Sequence, residues 1–293
     1  MDKKLDKKYN GIENKKIIDS IWKKMPILAK KLIEETQDLS NENNIEFLNN
    51  PDELSCHQPN WHQWGIITHT KMLEKFYNKK VPKYLEKWGI KEKINKYLSQ
   101  RIDNKTKDEL IRIAIIFHDL GKFSQRKINY KEDNTVFFSF GGHEIASASI
   151  IRSQGFTNLL KKDYLLTDKQ IEYIAKCAEL HYELGKARDM AKKTNLGYTL
   201  RYSKSNQAKE SMLSIMDENK DYQAEIGILF LADSLAKTDI YIKDSNDQEI
   251  ESQTLPIQKL LQQKNMNPLL LNAIKQRPVN IKIAETYLLA IDK

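Results

Sequence analysis

Cysteine is almost missing from this chain: Cys56 and Cys177 stand far apart in 293 residues, outside any paired-cysteine motif. That excludes a disulfide framework and a zinc–thiolate site, and it fits a reducing compartment. Long apolar runs are missing as well. The N-terminal MDKKLDKKYNGIENKK lacks the apolar core of a secretory signal, and IGILFLA at 226–232 is far shorter than a membrane span. A cytoplasmic protein without a membrane segment is expected. Glycine (10) and proline (7) are scarce, no alternating strand series occurs, and neither an internal repeat nor a low-complexity linker is visible.

What is present is a soluble composition, 40% hydrophobic and 30% charged, in a chain long enough for one large or two ordinary domains. Apolar residues recur at helical spacing, predicting an all-α protein. Helices are expected at 15–36, 65–78, 82–99, 106–119, 143–154, 168–184, 207–217, 221–240, 255–263 and 267–276. Two segments break the pattern. INYKEDNTVFFSFGG at 128–142 reads as a loop with a short extended piece around Val136, Phe137, Phe138 and Phe140. Residues 185–206, basic and aromatic, read as a long functional loop.

The net charge of +8 is unevenly spread. Residues 71–131 carry 17 Lys and Arg against 7 Asp and Glu, whereas residues 1–50 carry 10 against 9. The 186–209 stretch has 7 against 1. Such regions favour phosphate-rich ligands, although a solvated lysine-rich face gives the same count.

The chemistry is concentrated in six residues. LIRIAIIFHDLGK at 110–122 is a nearly all-apolar helix that ends in His118 and Asp119, with Gly121 expected to stop it. A buried carboxylate must be paired or bound to a cation. Lys122, just past the turn, would then reach a phosphoryl oxygen. His69 shares a helical face with Met72, Leu73 and Phe76, His143 starts a helix, and His181 continues the apolar face Ile171, Ile174, Ala175, Ala178. Asp233 is the one charged group within IGILFLADSLA at 226–236. Each histidine alone is explained by packing; four of them with two buried carboxylates on separate apolar helices point to metal. Imidazole and oxygen donors without thiolate suit Mn, Ni, Fe, Co, Mg or Zn better than Ca, and six ligands accommodate one or two divalent ions.

The ordered series His69, His118-Asp119, His143, His181, Asp233 resembles the HD-domain phosphohydrolase superfamily over about 56–240. The detail is similar to the HD domain of bacterial CCA-adding tRNA nucleotidyltransferases in CHQPNWHQWGIITHT at 56–70, FHDLGK at 117–122, FGGHEIASA at 140–148 and LADSLAK at 231–237. No nucleotidyltransferase head accompanies it, so CCA addition is not expected. The resemblance implies a single helical HD bundle, with an N-terminal helical extension over 1–50, a core over 51–245 and a C-terminal helical tail over 246–293 packed on it. It assigns His69, His118, Asp119 and Asp233 to the metal quartet, His143 and His181 to the additional ligands of two-metal members, and His62 to a substrate contact or acid, beside the alternative that His62, Trp61 and Trp64 simply pack the start of a helix.

The reaction so implied is attack of metal-bound water on a phosphoester of a nucleotide, cyclic nucleotide or RNA end, with Asp119, Lys122 and His62 as catalytic groups. Arg188, Arg201 and Lys204 in the basic segment are candidates for holding the rest of the substrate. The expected partner is thus a phosphate-containing small molecule or a nucleic acid end. Rival readings are a CRISPR-type HD single-strand nuclease, a deoxynucleotide triphosphohydrolase, and a non-catalytic nucleotide-binding helical module.

Overall fold

A computed structural model describes residues 3–193, 206–239 and 270–291, with side chains for 14–188, 210–239 and 270–291. Among the described residues the fold is all-α with two short hairpins. Its helices are α1 (Lys3–Thr36), α2 (Glu42–Asn49), α3 (Ile66–Lys79), α4 (Val81–Lys87), α5 (Lys91–Leu98), α6 (Lys107–Phe117), α7 (Gly121–Gln125), α8 (His143–Arg152), α9 (Gln154–Tyr164), α10 (Asp168–Leu180), α11 (Glu183–Lys193), α12 (Asn206–Glu218), α13 (Gln223–Ala236) and α14 (Leu271–Leu288). The hairpins pair β1 (Arg101–Ile102) with β2 (Lys105–Thr106) and β3 (Lys127–Tyr130) with β4 (Val136–Ser139), both antiparallel. The chain divides into two compact units.

Unit one comprises Met1–Pro51 and Asn95–Glu179. Its centre is α6, which buries Leu110, Ile111, Ile113, Ala114, Ile115, Ile116 and Phe117. The helix starts where it does because Thr106 and Glu109 form a capping box, each satisfying the other's backbone N–H. One face of α1, with Ile17, Ile21, Met25 and Ile33, is buried, and α1 packs against α6 and α7. Arg126, at the foot of β3, lies between the rings of Phe47 and Phe138, 4.2 and 4.1 Å from their centroids, and donates to the Asn43 carbonyl and to Asn44 Oδ1. It therefore ties α2 to the β3–β4 hairpin.

Unit two comprises Asp52–Ile94 and Leu180–Lys293. Here α13 is the core: every residue from Ala224 to Ala236 is buried, and α3 and α14 pack against it. Asp52 caps α3 from a distance, its carboxylate accepting from Thr68 N (2.8 Å) and Thr68 Oγ1 (2.6 Å).

Several expectations need correction. The single helix expected at 82–99 breaks into α4 and α5 at Gly89, whose φ of +71° is a left-handed conformation that a glycine adopts without strain. Helices α2 and α9 were not expected: α2 is polar and depends on Asn41, whose side chain accepts from Asn43 N. The loop expected at 185–206 is helical through Lys193, since Ala187, Met190, Ala191 and the lysines are good helix formers whatever their charge. Residues 194–205 and the helix expected at 255–263 lie outside the described residues. The last helix runs through Pro278 to Leu288, well past the expected 276, because Val279, Ile281, Ile283 and Tyr287 are buried.

Candidate metal centre

In unit one, three elements deliver the donors. The turn that follows α6 carries His118 and Asp119, α7 carries Lys122, and the first residue of α8 is His143. Asp119 is 2% exposed. Its Oδ2 lies 3.2 Å from His118 Nε2 and 2.8 Å from Lys122 Nζ, and its Oδ1 lies 3.3 Å from His143 Nε2. Both imidazoles are turned by their own backbone. His118 Nδ1 is 2.7 Å from the Ile115 carbonyl and His143 Nδ1 is 2.8 Å from the Phe140 carbonyl. A carbonyl only accepts, so each Nδ1 carries a proton and each Nε2 faces the Asp119 carboxylate, donating to it when the ring is protonated and offering a lone pair to a metal when the ring is neutral.

That tautomer makes the geometry informative. A neutral Nε2 and a carboxylate oxygen about 3 Å apart are two acceptors face to face, which is repulsive unless a proton or a cation is shared between them. Burial works to raise the Asp119 pKa, but the charges of His118 and Lys122 and the hydrogen bonds of His118 and His143 outweigh it and hold the carboxyl well below its ordinary range. Asp119 is thus an anion in a buried place, the state a metal ligand requires.

Gly121 does not stop a helix, contrary to expectation; it begins α7 and lets α7 and α8 touch. A Cβ there would overlap the backbone of His143 and Ser147. Gly121 N donates to Ser147 Oγ (2.8 Å), which donates to the His143 carbonyl (2.8 Å), so the HDLGK turn and the start of α8 are hydrogen-bonded through one buried hydroxyl.

In unit two, α3 presents His69 and α13 presents Asp233, with His69 Nε2 2.9 Å from Asp233 Oδ1 and Lys237 Nζ 3.6 Å from Asp233 Oδ2. The segment before α3 adds two more buried imidazoles. His62 lies edge-on to His69, centroids 4.5 Å apart, and His57 lies against His62 at 4.1 Å. His57 Nδ1 donates to the Trp64 carbonyl (3.0 Å), closing the 57–64 loop on itself. The same loop caps the end of α13: Gln63 N donates to the Lys237 carbonyl, Trp64 Nε1 to the Ala236 carbonyl (2.8 Å), and Thr238 Oγ1 and Asp239 N donate to Gln63 Oε1. The loop that leads into α3 is thereby joined to the end of the helix that carries Asp233. His57 and Gln63 had no assigned role from sequence; the density of His, Gln and Trp in HQPNWHQW was the only signal.

The remaining candidates are placed as follows. His181 directly follows α10 and is buried, its ring 6.4 Å from that of Tyr182. Arg188 belongs to α11 and is buried, donating to Asn280 Oδ1 (2.8 Å) and Tyr182 Oη (2.7 Å), with Asn280 Nδ2 donating to Ser234 Oγ on α13. Arg201 and Lys204 lie outside the described residues. His69, His118, Asp119, His143 and His181 each offer an imidazole nitrogen or carboxylate oxygen that a divalent cation can take. Tethered imidazoles and an ionised, desolvated carboxylate without thiolates are the donor set such an ion needs, so the residues fit a metal.

No described helix is long and apolar enough to cross a membrane. Comparison with curated proteins finds none that matches. The family model described as HD domain matches residues 81–238, which include His118, Asp119, Lys122, His143, His181 and Asp233, while His57, His62 and His69 precede the matched span. With more than half of its length matched, the chain belongs to the HD-domain family.

Proposed function

We propose that this protein is a metal-dependent phosphohydrolase in which His69, His118, Asp119, His143, His181 and Asp233 ligate one or two divalent ions. The observation that carries the reading is the Asp119 carboxylate held between the Nε2 atoms of His118 and His143, both of whose Nδ1 protons are committed to backbone carbonyls. Bound there, a divalent ion would lower the pKa of water toward neutrality and polarise a phosphoryl oxygen.

The chain's own groups supply the rest. Lys122, paired with Asp119 at 2.8 Å, would share its charge with a phosphoryl oxygen of the substrate. His62, held between His57 and His69, is the candidate to hand a proton to the leaving oxygen. Arg188 is engaged by Tyr182 and Asn280 and serves the substrate only by exchanging those partners. The substrate is a phosphoester of a nucleotide, cyclic nucleotide or RNA end, a choice supported by the likeness of the 56–70 and 140–148 motifs to the HD domain of CCA-adding enzymes. A matrix of chelator-stripped protein with Mn, Ni, Fe, Co or Mg against 2′,3′-cyclic nucleotides, nucleoside mono- and triphosphates and RNA or DNA ends tests it. Hydrolysis confined to metal-loaded protein supports the reading, and inertness across the matrix overturns it.

A further inference from the structure

Lysine recurs at every fourth position from Lys71 to Lys91: Lys71, Lys75, Lys79, Lys83, Lys87 and Lys91, all in unit two. The first five are exposed, on α3 and α4. A step of four residues turns about 400° and rises about 6 Å, so neighbours fall 40° apart and line one slowly winding stripe. The junction between the helices preserves it, because Lys80 keeps right-handed helical dihedrals, φ −105° and ψ −46°. Leu73, Phe76, Val81 and Leu85 between them are buried, while Lys71, Lys75, Lys79, Lys83 and Lys87 stay exposed.

Positive charge outnumbers negative along the stripe. Residues 71–93 hold eight lysines and three acids, Glu74, Glu86 and Glu92, and Glu86 is paired with Lys91 at 3.2 Å. Like charges at i, i+4 repel by a few tenths of a kcal/mol each, and a polyanion laid along the ladder would lower that repulsion. At the end of the ladder Tyr84 and Trp88 stand together, ring centroids 5.5 Å apart and half-buried, which leaves aromatic surface for bases beside the charges. An anionic membrane would want an exposed apolar face next to the lysines, and the apolar face of α3 is spent on the core.

We propose that the α3–α4 lysine ladder is a binding surface for the phosphate backbone of single-stranded nucleic acid, with Tyr84 and Trp88 as its stacking end. This surface lies on the solvent side of the helix whose inner face carries His69, and its action needs no metal. The test is fluorescence anisotropy of a labelled oligothymidylate with the full-length protein in EDTA, over a salt series. The wild type should bind, with log K falling linearly with log salt. Lys75→Gln/Lys79→Gln/Lys83→Gln should weaken binding at low salt at least tenfold and flatten the salt slope by about 2, from about 0.7 per neutralised contact. Lys15→Gln/Lys16→Gln/Lys30→Gln on α1 should change neither. Equal affinity and slope in the two triple variants, no binding by the wild type, or ladder-dependent capture of phosphatidylserine vesicles without oligonucleotide binding would each overturn the proposal. Circular dichroism of both variants separates charge loss from misfolding, and Lys79→Gln alone repeats the test if the triple variant is misfolded. Because the measurement is made in chelator, its failure leaves the hydrolase reading standing, and the reverse.

Discussion

Replacing Gly121 by Ala isolates the contact that brings the HDLGK turn against α8. The added methyl meets the backbone of His143 and Ser147, which cannot rotate away as a side-chain tip would. Forcing a methyl into a filled contact costs about 1–3 kcal/mol. Parting the two segments also lengthens the 2.8 Å hydrogen bond from Gly121 N to Ser147 Oγ, worth a further 0.5–1.5 kcal/mol or so. A loss of about 2–4 kcal/mol corresponds to a Tm lower by roughly 5–15 °C at this chain length. The same parting moves His143 from Asp119, now 3.3 Å apart, so affinity for Mn should fall along with stability. Gly155→Ala is the internal control: nothing lies within 4 Å of a Cβ there, and in α9 the change should be neutral or stabilising by up to about 1 kcal/mol. Calorimetric melting and isothermal titration with Mn read both effects. A Gly121→Ala protein that melts with the wild type and binds Mn equally well would refute the close-contact argument.

Arg126→Ala removes two ring contacts and the hydrogen bonds to Asn43 and Asn44. A loss of about 3–5 kcal/mol in urea unfolding is expected, and Arg126→Lys should recover less than half because an ammonium cannot lie flat between two rings. Trp64→Phe leaves the Ala236 carbonyl without its indole donor and should cost about 1–3 kcal/mol; an unchanged urea midpoint would contradict the capping role of the 57–64 loop. The depressed Asp119 pKa gives a pH signature. Because the folded value lies below the unfolded one near 3.9, its stabilising effect is full above about pH 5 and is lost as pH falls through the folded value. In EDTA, the stability gap between wild type and Asp119→Asn should therefore be constant above pH 5 and narrow in acid; a gap independent of pH down to 2.5 would count against an ionised Asp119.

Helices with one-sided or fully apolar patterns were legible from sequence. Those of α6 and α13 stood out because a run such as IRIAIIF or IGILFLA has no other stable place than a core, and for the same reason His118, Asp119 and Asp233 stood out as polar groups embedded in them. What the pattern could not carry were features made by backbone groups. The α2 helix rests on one asparagine cap, and the break at Gly89 on a left-handed dihedral. The loop that leads into α3 reaches, through Gln63 and Trp64, groups more than 170 residues away, contacts that leave no periodicity in the sequence. Ser147 looked like one small residue among four in ASAS, yet its hydroxyl joins the HDLGK turn to His143. Charge is a poor guide at 185–193, where a lysine-rich segment reads as a loop although lysines propagate a helix well.

Metal content measured together with turnover tests the central claim most directly. Protein purified without chelator should carry one or two divalent transition ions per chain and hydrolyse bis-p-nitrophenyl phosphate or 2′,3′-cyclic AMP, and Asp119→Ala, folded by circular dichroism, should lose both the ion and the activity. A metal-free wild type that stays folded and inert after loading with each candidate ion, or an Asp119→Ala protein with undiminished turnover, would contradict it.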